Sequence, residues 1–70
     1  MIRLTRLNNS EIIINADLIE MLEETPDVVL TLTTGRKLAV AETADEIIER
    51  IIDFKSRALL GLNLLNKDTV

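Results

Sequence analysis

Glu20, Glu23 and Glu24, with Asp27 just beyond, are the densest group of side chains in this sequence that could do chemistry. Carboxylates held close together serve as acid and base or hold a divalent cation. Strand alternation, however, puts Glu20 and Glu24 on one face and Glu23 on the other. No glycine-bearing cation loop surrounds them and no polar partner stands by to tune a proton affinity, so a solvated acidic face is expected. The hydroxyls of Thr31, Thr33 and Thr34 have no histidine, and no lysine in a recognisable motif, to activate them as nucleophiles. Their residue type suits a strand instead. The chain contains neither cysteine nor histidine, which removes disulfides, thiolate chemistry, the usual zinc sites and imidazole catalysis together. Gly35 and Gly61 are its only glycines, too few and too far apart for a phosphate-cradling loop. The expectation is a protein with no catalytic residues, cofactor, metal or small-molecule substrate.

Basic residues suggest contact rather than catalysis. Arg3 and Arg6 near the start, with Arg36 and Lys37 in the middle, form a patch if their two segments approach each other. Such a patch holds an acidic protein surface or a phosphate backbone. The competing reading is a set of ordinary surface ion pairs with the many glutamates, each worth little. Glu20, Glu23 and Glu24 are the second choice for a contact surface. A net charge of −4 and a single aromatic residue, Phe54, count against nucleic acid, which needs positive surface and stacking platforms. No apolar run is long enough to insert in a membrane, and the N-terminus lacks the layout of a signal peptide, so the cytoplasm is the expected compartment.

The elements that carry these residues read as five short strands and a helix. Ile2 to Leu7 alternates, with Ile2, Leu4 and Arg6 opposite Arg3, Thr5 and Leu7. Asn8-Asn9, tolerant of positive φ, with Ser10 predicts a tight hairpin turn into Glu11–Asn15. Ile19 to Thr25 alternates again, with Ile19 and Met21 opposite Glu20, Leu22 and Glu24. Pro26-Asp27 suits the centre of a β-turn. Val28–Thr33 is rich in β-branched residues, Thr34-Gly35 supplies the next turn, and Arg36–Val40 forms the fifth strand. Thr43 then caps a helix, with Glu46 placed to return the bond as a capping box. Ile47, Ile48, Ile51, Ile52, Phe54, Ala58 and Leu59 follow helical spacing, leaving Glu49, Arg50, Asp53, Lys55, Ser56 and Arg57 for the wetter side. Gly61 either ends that helix or lies within it, at a cost of about 1 kcal/mol. The fold class is α+β: an antiparallel β-meander followed by one helix that packs on the sheet. Residues 1–60 form one domain and residues 61–70 a tail.

A chain of 70 residues buries only about 60% of its unfolded surface and usually needs help from metal, disulfide or association. With 47% of its residues hydrophobic, association is the device left. Ile12-Ile13-Ile14 and Val28-Val29-Leu30 are unbroken apolar runs, the pattern of strands covered on both faces. One helix covers one face, so a homo-oligomer hiding Ile13 and Val29 between copies is expected. The other reading is a curled sheet with Ile13 and Val29 inside a small barrel.

Ile2-Arg3-Leu4-Thr5-Arg6-Leu7-Asn8, Asn15-Ala16-Asp17-Leu18-Ile19-Glu20, Glu23-Glu24-Thr25-Pro26-Asp27 and Thr31-Leu32-Thr33-Thr34-Gly35-Arg36-Lys37 occur in that order before an Ile/Glu-rich helix. Over residues 1 to about 57 this resembles the small flagellar and swarming-motility family called FlbD or SwrD. Asn9 stands where many relatives carry glycine, a change a turn tolerates. The resemblance implies a bacterial cytoplasmic, non-enzymatic protein that supports motility and flagellar motor power, with the stator or the cytoplasmic side of the motor as partner. A shorter likeness, Leu4-Thr5-Arg6 plus the general layout, is to the dimeric RNA-binding carbon storage regulator CsrA. That alternative would gather Arg3, Arg6, Arg36 and Lys37 across a subunit boundary, against an acidic net charge.

Overall fold

Ile2 and Leu4 share a strand face, and both are buried in β1 (Ile2–Thr5). The structure is a computed structural model that describes the backbone of residues 1–68 and the side chains of residues 1–60. β1 pairs antiparallel with β2 (Glu11–Ile14), setting Ile2 opposite Ile14 and Leu4 opposite Ile12. In the connecting turn the Arg6 N–H donates to the Ser10 carbonyl and the Asn9 N–H to the Arg6 carbonyl, both at 2.9 Å. Of the two asparagines expected to tolerate positive φ, only Asn9 adopts it, at 70°. Asn8 instead turns its side-chain oxygen to accept from the Ser10 N–H at 3.0 Å and the Ser10 hydroxyl at 2.7 Å. Asn9 thus takes the left-handed position of the turn, which asparagine tolerates better than most residues.

Asn15 breaks β2 by accepting the Asp17 N–H on its side chain at 3.0 Å, opening a 3-10 turn over Ala16–Leu18. That turn divides the five strands into two sheets. β3 (Ile19–Glu23), β4 (Val28–Leu32) and β5 (Lys37–Val40) form the second, in that order and all antiparallel. The β4–β5 turn repeats the hydrogen bonding of the first hairpin. Leu32 N–H donates to the Arg36 carbonyl and Gly35 N–H to the Leu32 carbonyl, both at 2.8 Å, with Gly35 at φ 91°. Thr25, Pro26 and Asp27 make the bend between β3 and β4. An isolated antiparallel bridge, Arg6 with Val40, joins the two sheets.

Register slips at Glu20, since Ile19 lies opposite Leu32 while Met21 lies opposite Thr31. An inserted strand residue reverses the faces that follow it. Leu22 therefore joins Ile19 against the core and Met21 is exposed, the reverse of simple alternation. The core gathers Ile2, Leu4, Ile14, Ala16, Leu30, Val40 and Ile47, with Leu4, Leu30 and Ile47 fully enclosed. Neither Ile13 nor Val29 belongs to it: the sheets curl, but around Ile12, Ile14, Val28 and Leu30.

The helix α1 (Ala44–Asp68) spans 25 residues and runs through Gly61, about 37 Å at 1.5 Å per residue. Thr43 Oγ1 accepts the Glu46 N–H at 3.1 Å as expected. The Glu46 carboxylate lies toward Arg50, at 4.0 Å, instead of returning to Thr43. Only the first turns pack, against β1. Ala44 and Ile47 are buried and Ile51 half-buried, whereas every side chain from Ile52 to Leu60 is exposed. The helical apolar spacing is real, but most of it outruns the sheet.

Candidate protein-contact surface

A buried carboxylate organises the region where strand, loop and helix meet. Glu42, in the loop between β5 and α1, is only 8% exposed. Its Oε1 accepts the Thr5 N–H at 2.8 Å, and its Oε2 accepts Arg50 Nη1 at 3.1 Å. The same Arg50 nitrogen donates to the Arg3 carbonyl at 2.7 Å. Burial pushes the Glu42 carboxyl upward. The Thr5 donors, its own backbone N–H and the Arg50 guanidinium stabilise the charged form more, and the net position is below the ordinary carboxylate range. Nothing in the sequence pattern of apolar residues marks Glu42. The usable signal is a carboxylate just ahead of a helix cap with an arginine two turns into the helix.

Beside this clamp, β1 and α1 enclose a shallow groove of about 490 Å³ that includes Met1, Arg3, Glu11, Phe54 and Arg57. Each arginine lining it faces a carboxylate: Arg3 with Glu11 at 3.5 Å, Arg50 with Glu42 at 3.1 Å, Arg57 with Asp53 at 3.3 Å. A groove so neutralised offers no concentrated charge to an anion, and no side chain in it is set up as a nucleophile with its base.

The four basic residues divide. β1 and β5 do meet, at Arg6 and Val40, and the Thr5 carbonyl accepts the Ala41 N–H at 2.8 Å. Arg3, preceding that bridge on β1, runs toward the helix, while Lys37 precedes it on the antiparallel β5 and so lies on its other side. Arg3 is held by Glu11; Arg6, Arg36 and Lys37 are exposed and have no ion-pair partner among the described residues. Ile13, opposite Arg3, is 52% exposed, and Val29, between Glu23 and Ala39, is half-buried on the outer face of its sheet. Glu20, Glu23 and Glu24 are exposed, Glu20 at the strand irregularity and Glu24 beyond the strand end. No group of three or more metal-ligating side chains occurs among the described residues. Thr31 buries its hydroxyl without a hydrogen-bond partner.

A family model described as flagellar and swarming motility proteins, FlbD, matches residues 1–59 of the 70. The chain belongs to the FlbD family. No curated protein and no solved structure matches it. Placed on the FlbD match, the two hairpins, the Glu42–Arg50 clamp and the first four turns of α1 all lie within the family region. The remainder of α1 lies beyond it. FlbD membership suggests a part in flagellar or swarming motility, and the family is associated with motility, not with a known enzyme activity.

Proposed function

We propose that this protein is a non-enzymatic accessory of bacterial flagellar motility, working in the cytoplasm by contact with other proteins and supporting motor function or swarming. The family match over residues 1–59 carries the reading. Three features support the contact mechanism. Arg6, Arg36 and Lys37 stand exposed without carboxylate partners among the described residues, the groove arginines are already neutralised, and large apolar side chains from Met1 to Leu60 face solvent. No described helix is long and apolar enough to cross a membrane. The natural partner is an acidic surface on the stator or on the cytoplasmic side of the motor, met by Arg6, Arg36 and Lys37, with Arg3 already engaged by Glu11.

The test is deletion of the gene in its flagellated host, followed by complementation with wild type or with R6E/R36E/K37E. Wild type restores swarm expansion and the triple reversal does not, although its circular dichroism is unchanged. Crosslinking in motile cells recovers motor or stator components with wild type and loses them with the reversal. Normal swarming in the deletion strain overturns the reading. So does tight, salt-sensitive RNA binding in a gel shift, which would favour the regulator alternative despite the net charge of −4.

A further inference from the structure

The packed face of α1 is used up within its first turns, but a second apolar line continues along its flank. Ile48, Ile52 and Leu59 are 46%, 59% and 61% exposed, and with Lys55 they follow each other at intervals of four, three and four residues. That alternation of fours and threes is the seam of a helix pair, in which each side chain enters a hole on the facing helix. Lys55 does not interrupt the seam. Its ammonium is drawn aside to Asp17, at 3.7 Å in the 3-10 turn, so that its aliphatic stem remains as apolar cover. Helical segments without tertiary support are marginal in water at this length, and this half of α1 has every described side chain exposed.

We propose that a second copy of this chain covers the flank, the two helices lying antiparallel with Ile48 of each against Leu59 of the other. Orientation follows from charge. Residues 44–53 carry Asp45, Glu46, Glu49 and Asp53 against Arg50, a net −3, while residues 54–60 carry Lys55 and Arg57, a net +2. An antiparallel copy lays the acidic half of each helix along the basic half of the other. A parallel copy in register would set Lys55 on Lys55 and acid on acid, which is repulsive. The antiparallel register also places Ile52 beside the stem of the other copy's Lys55. It completes four layers through the two-fold axis and separates the two globular bodies, in keeping with a molecule 51 Å long and only 22 Å by 19 Å across. This pairing is independent of the motility reading and relies on neither Ile13 nor Val29.

Sedimentation velocity on the full chain at roughly 100 µM, above the micromolar dissociation constants of weak interfaces, tests it. The expected mass is twice 7.9 kDa, and I52E and L59E each return it to the monomer with unchanged circular dichroism, whereas I13E remains dimeric. Because the chain has no cysteine, oxidation reads the orientation directly. A mixture of I48C and L59C crosslinks, while each alone crosslinks at least tenfold less. A monomeric wild type, an undiminished dimer in I52E, or efficient crosslinking of I48C alone overturns the proposal.

Discussion

Replacing Glu42 with glutamine keeps the shape of the side chain and removes its charge. The Thr5 N–H, at 2.8 Å, retains an acceptor in the amide oxygen. The Arg50 bond at 3.1 Å is lost, because an amide nitrogen, itself a donor, then faces the guanidinium. Hydrogen bonds to a charged group contribute about 1.5–3 kcal/mol and neutral ones about 0.5–1.5. The Arg50 side chain is 42% exposed, so water recovers part of the loss and the full penalty of a buried orphan charge does not apply. The expected destabilisation is about 1–2 kcal/mol, against a total of about 4–10 kcal/mol for a domain of this length. In urea this moves the midpoint down by roughly 1 M, and in a thermal melt by about 5–15 °C. Acidity supplies the sharper control. The folded-state pKa of Glu42 lies below its ordinary value of 4.5, so its stabilisation is complete above that value and disappears as pH falls through the lower, folded one. The gap between wild type and E42Q is therefore widest at neutral pH and closes as pH falls through the folded-state pKa. Equal midpoints at pH 7, or a gap undiminished in acid, would refute the assignment of Glu42 as a charged clamp.

The paired turns predict opposite responses to one atom. N9G relieves a left-handed side chain and stabilises by about 0.5–1 kcal/mol, whereas G35A destabilises by about 1–2 kcal/mol. The space around Gly35 is open, with nothing within 4 Å of an added Cβ, so a loss there reports backbone strain alone. T43A removes the cap from Glu46 and costs about 1 kcal/mol in a urea melt. L30A, at a fully enclosed position, costs about 2–5 kcal/mol, and equal melts for T43A and L30A would contradict the placement of the core.

Five strands and a helix were legible because each signal was local. Ile2 and Leu4 alternate with Arg3, Gly35 marks a left-handed position, and Thr43 stands three residues before Glu46. What escaped depends on distant partners. The slip at Glu20, which sends Met21 outward and Leu22 inward, is set by how β3 meets β4. No pattern within Ile19–Glu23 carries it. The apolar runs do not turn wholly inward within one copy: Val29 is half-buried between its neighbours on β3 and β5, while Ile13 faces out. The division into two sheets comes from the Asn15 side chain capturing the Asp17 N–H, a use of the break the residues announced. Among the basic residues, charge was readable but position was not, since the Arg6–Val40 bridge is a tertiary event. Glu42 and Arg50 are eight residues apart in sequence, and besides bonding each other both hold the backbone of β1, at the Thr5 N–H and the Arg3 carbonyl.

The clamp has one more effect, on what the molecule avoids. From Arg3 to Thr5, the side of β1 turned away from β2 meets a carboxylate at the Thr5 N–H and a guanidinium at the Arg3 carbonyl. These two side chains satisfy backbone groups that a stray strand from another molecule would otherwise seek. A charge pair thus guards an apolar, β-rich segment against fibrillar stacking, and does so without adding a residue to the fold.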